Sequence, residues 1–167
     1  MTTATHTPRA STKASPRARL ARELSAGKPD TAAITYEGSV PFGAALVVDR
    51  YRLGNGLEVL VCEDASAPVV AYYTWFSVGS RHEKPGKTGL AHLFEHLMFN
   101  ETEGLAAGSF DRKLEEAGAE TNAATWVDWT YYHESLPKTS LGLVVRLEAL
   151  RMSKLVLREP QVTSEKE

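Results

Sequence analysis

The sequence predicts an α+β fold in which a largely antiparallel sheet packs against helices. Three observations carry that reading. Apolar, β-branched runs on either side of Asn55-Gly56 read as a hairpin. Two later segments, 89–99 and 140–154, place their apolar residues with broadly helical spacing. Successive strands follow one another through hairpin-type links, without the βαβ alternation of a parallel sheet. At 167 residues, 43% hydrophobic and 24% charged, the chain has the size and composition of one globular domain.

The elements follow in order. Residues 1–38 are rich in Thr, Ala, Ser, Pro and Arg and poor in large apolar side chains, which predicts a disordered basic lead-in. The folded body is expected over 39–167. Val47 to Leu53 and Leu57 to Cys62 are the two strands of the Asn-Gly hairpin, and Val69 to Val78 is a third strand. Gly79 to Thr88, with Pro85 and Gly86, is a loop. A helix follows over Gly89 to Phe99, and a shorter one from Ser109, expected as its N-cap, to Ala117, with Gly118 as its stop. Glu120 to Thr125 and Trp129 to Leu136 read as strands. Pro137 ends the second of them, and Thr139 or Ser140 caps a helix running to about Lys154. Glu159-Pro160 opens a last helix.

Charge narrows the functional classes. Residues 1–29 hold six bases and one acid, while the remainder holds 13 bases and 20 acids. A basic tail on an acidic body argues against a nucleic-acid platform. No apolar run is long enough to span a membrane. The tail lacks the continuous apolar stretch of a secretory signal, and a cytoplasmic location is expected, although an Arg- and Ser-rich start also suits an organelle transit peptide. The single cysteine, Cys62, excludes an internal disulfide and reads as a small buried hydrophobe.

The chemistry sits in His92-Leu93-Phe94-Glu95-His96. On a helix, residues four apart have Cα atoms about 6 Å apart on one face. His92 and His96 can then share one zinc ion, with metal–nitrogen distances near 2.0–2.1 Å. Glu95 is rotated about 60° from His92 and about 100° from His96, which places it beside the metal as a general base. Zinc lowers the pKa of a water it holds, and the carboxylate takes the proton as that water attacks a carbonyl. With this composition the pattern arises by chance in about one such sequence in seventy. The alternative, a solvated face or a core histidine, is weakened because Leu90, Leu93, Phe94 and Leu97 already supply an apolar face.

Gly79-Ser80-Arg81, Gly86 to Asn100, Glu101-Thr102-Glu103, Phe110 to Thr125 and Asp128 to Pro137 together resemble the zinc-binding region of the insulysin/pitrilysin metalloproteases, the inverzincins that include the mitochondrial processing peptidase. The resemblance covers most of residues 50–167. It implies a metalloprotease domain of the processing-peptidase type, with His92 and His96 as zinc ligands and Glu95 as catalytic base. It also implies that Asn122, Ala123 and Ala124 lie on an edge strand that pairs with the substrate backbone. The family has a bulkier residue where Ala124 stands. The family's third ligand is a glutamate roughly 75 residues beyond the second histidine, expected just past Glu167. Glu165 and Glu167, 69 and 71 residues on, are assigned to neither role.

The reading that results is a zinc metalloendopeptidase acting on peptides or unfolded protein segments, completed by a second half-domain of the same type. The domain is expected to be incomplete and the chain inactive as it stands. The alternative is a metal-free interaction module. Other candidates fall away. Pro85 to Gly89 lacks the first glycine of a phosphate loop, since Arg81 stands there. His82 and His133 read as turn and strand residues, and Trp75, Trp126 and Trp129 as core or rim packing rather than a stacking platform. The sequon at Asn100 carries little weight without a secretory signal.

Overall fold

The computed structural model describes residues 15–166 and divides into two compact units, one ending at Ser66 and the other beginning at Ala67. Ordered structure starts well before residue 39.

In the first unit, α1 spans Pro16–Ser25. Ser15 caps it by accepting the Ala18 amide, and Pro16 opens it where a missing N–H costs nothing. This overturns the expected disorder for the later part of the lead-in. Composition averaged over the segment hid a run of helix formers, and Ala21 is small enough to be buried flush against the sheet. The Ser25 hydroxyl closes the join, donating to the Ala21 carbonyl and accepting the Ile34 amide, both at 2.7 Å. Residues 1–14 of the lead-in lie outside the described residues.

Strands β1 (Ile34–Phe42), β2 (Leu46–Leu53) and β3 (Glu58–Cys62) form an antiparallel sheet in that order. β1 escaped the sequence pattern because its register slips between Tyr36 and Gly38, which breaks the two-residue alternation. The Asn-Gly hairpin forms as expected, with Gly56 at φ 92° and Asn55 Oδ1 accepting the Leu57 amide at 3.0 Å. Arg50 and Arg52 meet Glu37 and Glu58 across the three strands. Cys62 is exposed rather than buried, because it falls on the outward side of its strand.

In the second unit, β4 (Val69–Phe76), β5 (Glu120–Thr125) and β6 (Thr130–Pro137) form another antiparallel sheet, ordered β4-β6-β5. Helices α2 (Leu90–Leu97) and α3 (Ser109–Glu116) lie in the link from β4 to β5 and pack against β5. Helices α4 (Leu141–Lys154) and α5 (Glu159–Ser164) follow β6. Alternate residues of β6, from Thr130 to Leu136, are buried. Leu136 joins Phe110, Leu114, Val144 and Leu147 in the core. Ser109 is the first residue of α3 and not its cap. Gly108, at φ 72°, holds the cap position, which a left-handed turn reserves for glycine. Ser140 occupies the cap position of α4 without making a side-chain cap bond.

The opposite face of this sheet carries Tyr73, Trp75, Trp129, Tyr131 and His133, stacked edge to edge across the strands. Trp75 is 57% and Trp126 65% exposed, so neither is a core residue. Beneath the helix side, α4 buries two charged residues, Glu148 and Arg151, against Glu134 of β6. Among the described residues no helix is long and apolar enough to cross a membrane.

Candidate metal centre

Helix α2 starts abruptly after Gly89, which sits at φ 87° and offers no capping side chain. The loop supplies the cap instead. Glu83 reaches back across six to eight residues, its Oε2 accepting the Gly89 amide and its Oε1 the Ala91 amide, both at 2.9 Å. These amide donors hold the Glu83 carboxyl below its ordinary pKa. A carboxylate at this position also complements the positive end of the helix dipole.

From that start the helix presents His92, Glu95 and His96. His92 and His96 stand one turn apart with their rings nearly perpendicular, at 81°, and their Nε2 atoms 3.2 Å apart. Two nitrogens bound tetrahedrally to one zinc at 2.0–2.1 Å would be about 3.3–3.4 Å apart. The donor set and its spacing therefore fit zinc. Both rings open on a cleft of about 560 Å³ that Gly89, Leu93 and Glu165 also line. Leu97 is buried and Leu93 half-buried, as the apolar face requires. Leu90 and Phe94 are exposed instead and border a separate apolar hollow of about 530 Å³ with Phe76, Val78 and Met98.

The second nitrogen of His96 is also engaged, since Nδ1 lies 3.0 Å from Glu165 Oε2. A carboxylate accepts and cannot donate, so this bond places the His96 proton on Nδ1 and leaves the Nε2 lone pair facing His92. Glu165 is brought there by α5. That helix is anchored through Arg158, whose guanidinium donates to both carboxylate oxygens of Glu101 at 2.9 and 3.1 Å, and through Gln161. Glu165 thus meets the nitrogen of His96 that faces away from His92. Spacing from the second histidine gave no signal for that contact. Among the described residues, no three His, Cys, Asp or Glu side chains converge on one point.

Glu95 points to the sheet. Its Oε2 accepts the Thr125 hydroxyl at 2.5 Å, which ties the helix to the end of β5. Thr125 lies within a segment that sequence reasoning quoted, but nothing in its spacing marked it. Among the described residues the sheet order leaves β5 with β6 as its one strand neighbour, so Asn122, Ala123 and Ala124 lie on an edge. The Ala123 amide is covered locally by Asn122 Oδ1 at 2.9 Å. His82 accepts the Gly79 amide in a turn, and His133 stacks on Tyr73 on the far face of the sheet. Neither approaches the histidine pair.

Helix α2 thus carries His92, His96 and a glutamate tethered to β5, a strand at the edge of its sheet. The sequence profile described as Insulinase (Peptidase family M16) matches residues 58–167. The chain belongs to the M16 peptidase family. This M16 chain is 36% identical over 136 residues to "Zinc protease PqqE" of Helicobacter pylori, a match covering 77% of the chain and 31% of that relative. It is 30% identical over 115 residues to "Cytochrome b-c1 complex subunit 1, mitochondrial" of Rattus norvegicus, covering 69% and 24%. Its fold matches the crystal structure of a protease from Helicobacter pylori with a TM-score of 0.70 at 34% identity, covering 71% of this chain and 29% of that one. The M16 chain therefore spans about a third or less of each of these proteins.

Proposed function

We propose that this chain carries the catalytic half-site of a zinc metalloendopeptidase, with His92 and His96 as metal ligands and Glu95 as general base. The observation that carries the reading is the 3.2 Å approach of the two Nε2 atoms on the helix that also carries Glu95, tied to β5 through Thr125. Zinc bound there would supply Lewis-acid polarisation and lower the pKa of water. Thr125 occupies Oε2 of Glu95, which leaves Oε1 as the oxygen that takes a proton from the attacking water and returns it to the leaving amine. Glu165 keeps His96 in the tautomer that can bind a metal.

The edge of β5 at Asn122, Ala123 and Ala124 suits an extended peptide that adds as a further strand, a mode that reads backbone rather than sequence. Unfolded segments and short peptides are the substrate class this favours. Pairing at Ala123 requires the Asn122 side chain to release that amide. In this reading a second half-domain of the same type closes over the substrate.

A second reading, a metal-free interaction or assembly module, draws on the similarity to a cytochrome b-c1 complex subunit. Retention of both histidines and the glutamate weighs against it. The experiment is zinc content and cleavage of an unstructured, fluorescence-quenched peptide by the full polypeptide the gene encodes. The peptidase reading expects one zinc per chain, cleavage, and a Glu95→Gln variant that keeps zinc and loses cleavage. A full polypeptide that binds no zinc and cleaves nothing would leave the module reading in its place.

A further inference from the structure

The loop motif Gly79-Ser80-Arg81 has a visible mechanical task, although it contributes nothing to the metal pair. The Ser80 and Arg81 amides donate to the Trp126 and Val127 carbonyls at 3.0 and 2.9 Å. The Arg81 guanidinium grips Asp128 with two bonds, at 2.5 and 3.1 Å. A Cβ on Gly79 would fall 2.2 Å from the Trp126 carbonyl oxygen, so only glycine permits this approach. The loop is therefore strapped along the turn between β5 and β6, which is itself closed by the Trp126 amide on the Trp129 carbonyl at 2.8 Å.

The strapped turn fixes the last pair of the β5–β6 ladder, Thr125 opposite Thr130. Their hydroxyls lie 3.2 Å apart. Thr130 gives its single proton to the Val78 carbonyl at 3.0 Å, immediately before the strap. Thr125 gives its single proton to Glu95 Oε2 at 2.5 Å. With its proton held by Val78, the Thr130 oxygen is left as a second acceptor for Thr125, but a neutral one at 3.2 Å against a carboxylate oxygen at 2.5 Å. The shorter, charge-assisted bond wins, and the Thr125 hydroxyl is aimed at Glu95.

We propose that Thr125 is the positioning residue of the general base: through its hydroxyl, held by the Gly79–Arg81 strap and by Thr130, it fixes the rotamer of Glu95 and assigns Oε2 to support and Oε1 to proton transfer. The inference rests on the peptidase reading and adds to it a residue that acts through Glu95 and does not itself touch substrate or metal. A hydroxyl that orients a base lowers the barrier of the chemical step, so its loss registers in kcat and leaves substrate binding alone. Losing such a supporting partner of a site residue typically costs about 10–100-fold.

The test compares wild type, Thr125→Val and Thr125→Ser in the full polypeptide the gene encodes. Valine keeps the shape and the strand preference and removes the hydroxyl; serine restores it. The readouts are kcat and KM on a quenched unstructured peptide, affinity for zinc alone, and, in the metal-free protein, NMR detection of an exchange-protected Thr125 hydroxyl proton. The proposal expects Thr125→Val to lose about 10–100-fold in kcat, with KM and zinc affinity within about twofold of wild type. It expects Thr125→Ser to recover most of the loss, and the protected hydroxyl proton to vanish in Glu95→Ala. A Thr125→Val enzyme with wild-type kcat overturns it. So does a parallel loss of zinc affinity, or a serine variant no better than valine, either of which marks Thr125 as merely structural. Absence of cleavage by wild type would instead overturn the peptidase reading, and the hydroxyl proton then decides the geometry by itself: an unprotected one removes Thr125 from contact with Glu95.

Discussion

Arg151 is the most heavily committed charge in the second unit, and replacing it with methionine is expected to destabilise that unit by about 3–5 kcal/mol. The side chain is 1% exposed and faces two buried carboxyl groups, Glu148 and Glu134, at 2% and 0%. Its terminal nitrogen pairs with Glu148 and lies 3.4 Å from Glu134, while Thr74 donates to the other Glu148 oxygen at 2.8 Å. Its remaining nitrogens have no hydrogen-bond acceptor, and the guanidinium lies 4.2 Å from the Tyr132 ring centroid and 4.7 Å from that of Phe110. Burial, together with Glu148 alongside, pushes the Glu134 carboxyl up to about 8. Glu134 therefore keeps its proton through neutral pH. Methionine fills similar volume and replaces some lost packing, but it leaves Glu148 buried without a cation. That unpaired charge sets the magnitude, and the lost cation–π contacts, about 0.5–2 kcal/mol, fall within it. The sign of the pH dependence follows from Glu134. Between its ordinary value of 4.5 and about 8 the folded state holds a proton that the unfolded chain has released, so stability falls as pH rises across that window and levels off above it. Glu134→Gln, which imitates the neutral acid, should flatten this slope. Urea titrations followed by tryptophan fluorescence from pH 5 to 9 measure both effects. An Arg151→Met cost below about 1 kcal/mol, or an unchanged slope in Glu134→Gln, would refute the assignment of charge in the cluster.

Two further expectations concern the metal helix. Glu165→Gln should weaken binding of zinc about 10–100-fold by isothermal titration, because a carboxamide no longer enforces the Nδ1–H tautomer of His96. Glu83→Gln should loosen the start of α2, seen as faster amide exchange at Gly89 and Ala91. Since the Glu83 carboxyl is held below its ordinary 4.5, its contribution is present above that value and lost as pH falls through the depressed one. The glutamine variant should therefore shed part of the acid sensitivity of the wild type, and equal acid sensitivity in the two would count against the cap.

The parts of the fold that were legible in the sequence are those where one local rule governs. The Asn55-Gly56 turn, the strand at Val69 and the helical spacing around His92 each follow from turn chemistry or periodicity alone. The failures have physical causes too. α1 was hidden by composition, because a helix that buries only Ala21 needs no apolar stripe. β1 was hidden by the slip at Gly38 and by Pro41. Glu148 and Arg151 read as solvated residues on a helix until Glu134, fourteen residues upstream of Glu148, is seen to face them. At the site, the histidine pair and Glu95 were legible because helical geometry fixes their relation. Thr125, Glu165 and Glu83 were not, since each acts across a long gap that only tertiary structure closes.

The loop from Gly79 to Gly89 touches both the strand and the helix of the candidate site. At one end its backbone is fastened to the β5–β6 turn; at the other Glu83 holds the first turn of α2. Strand β5, which holds Glu95 through Thr125, and the helix that carries the histidines are thus registered against each other by one surface segment. Such a segment is a natural place for relatives to diverge in efficiency. Changing its length by one residue would shift helix against strand while leaving His92, Glu95, His96 and Thr125 in the sequence intact.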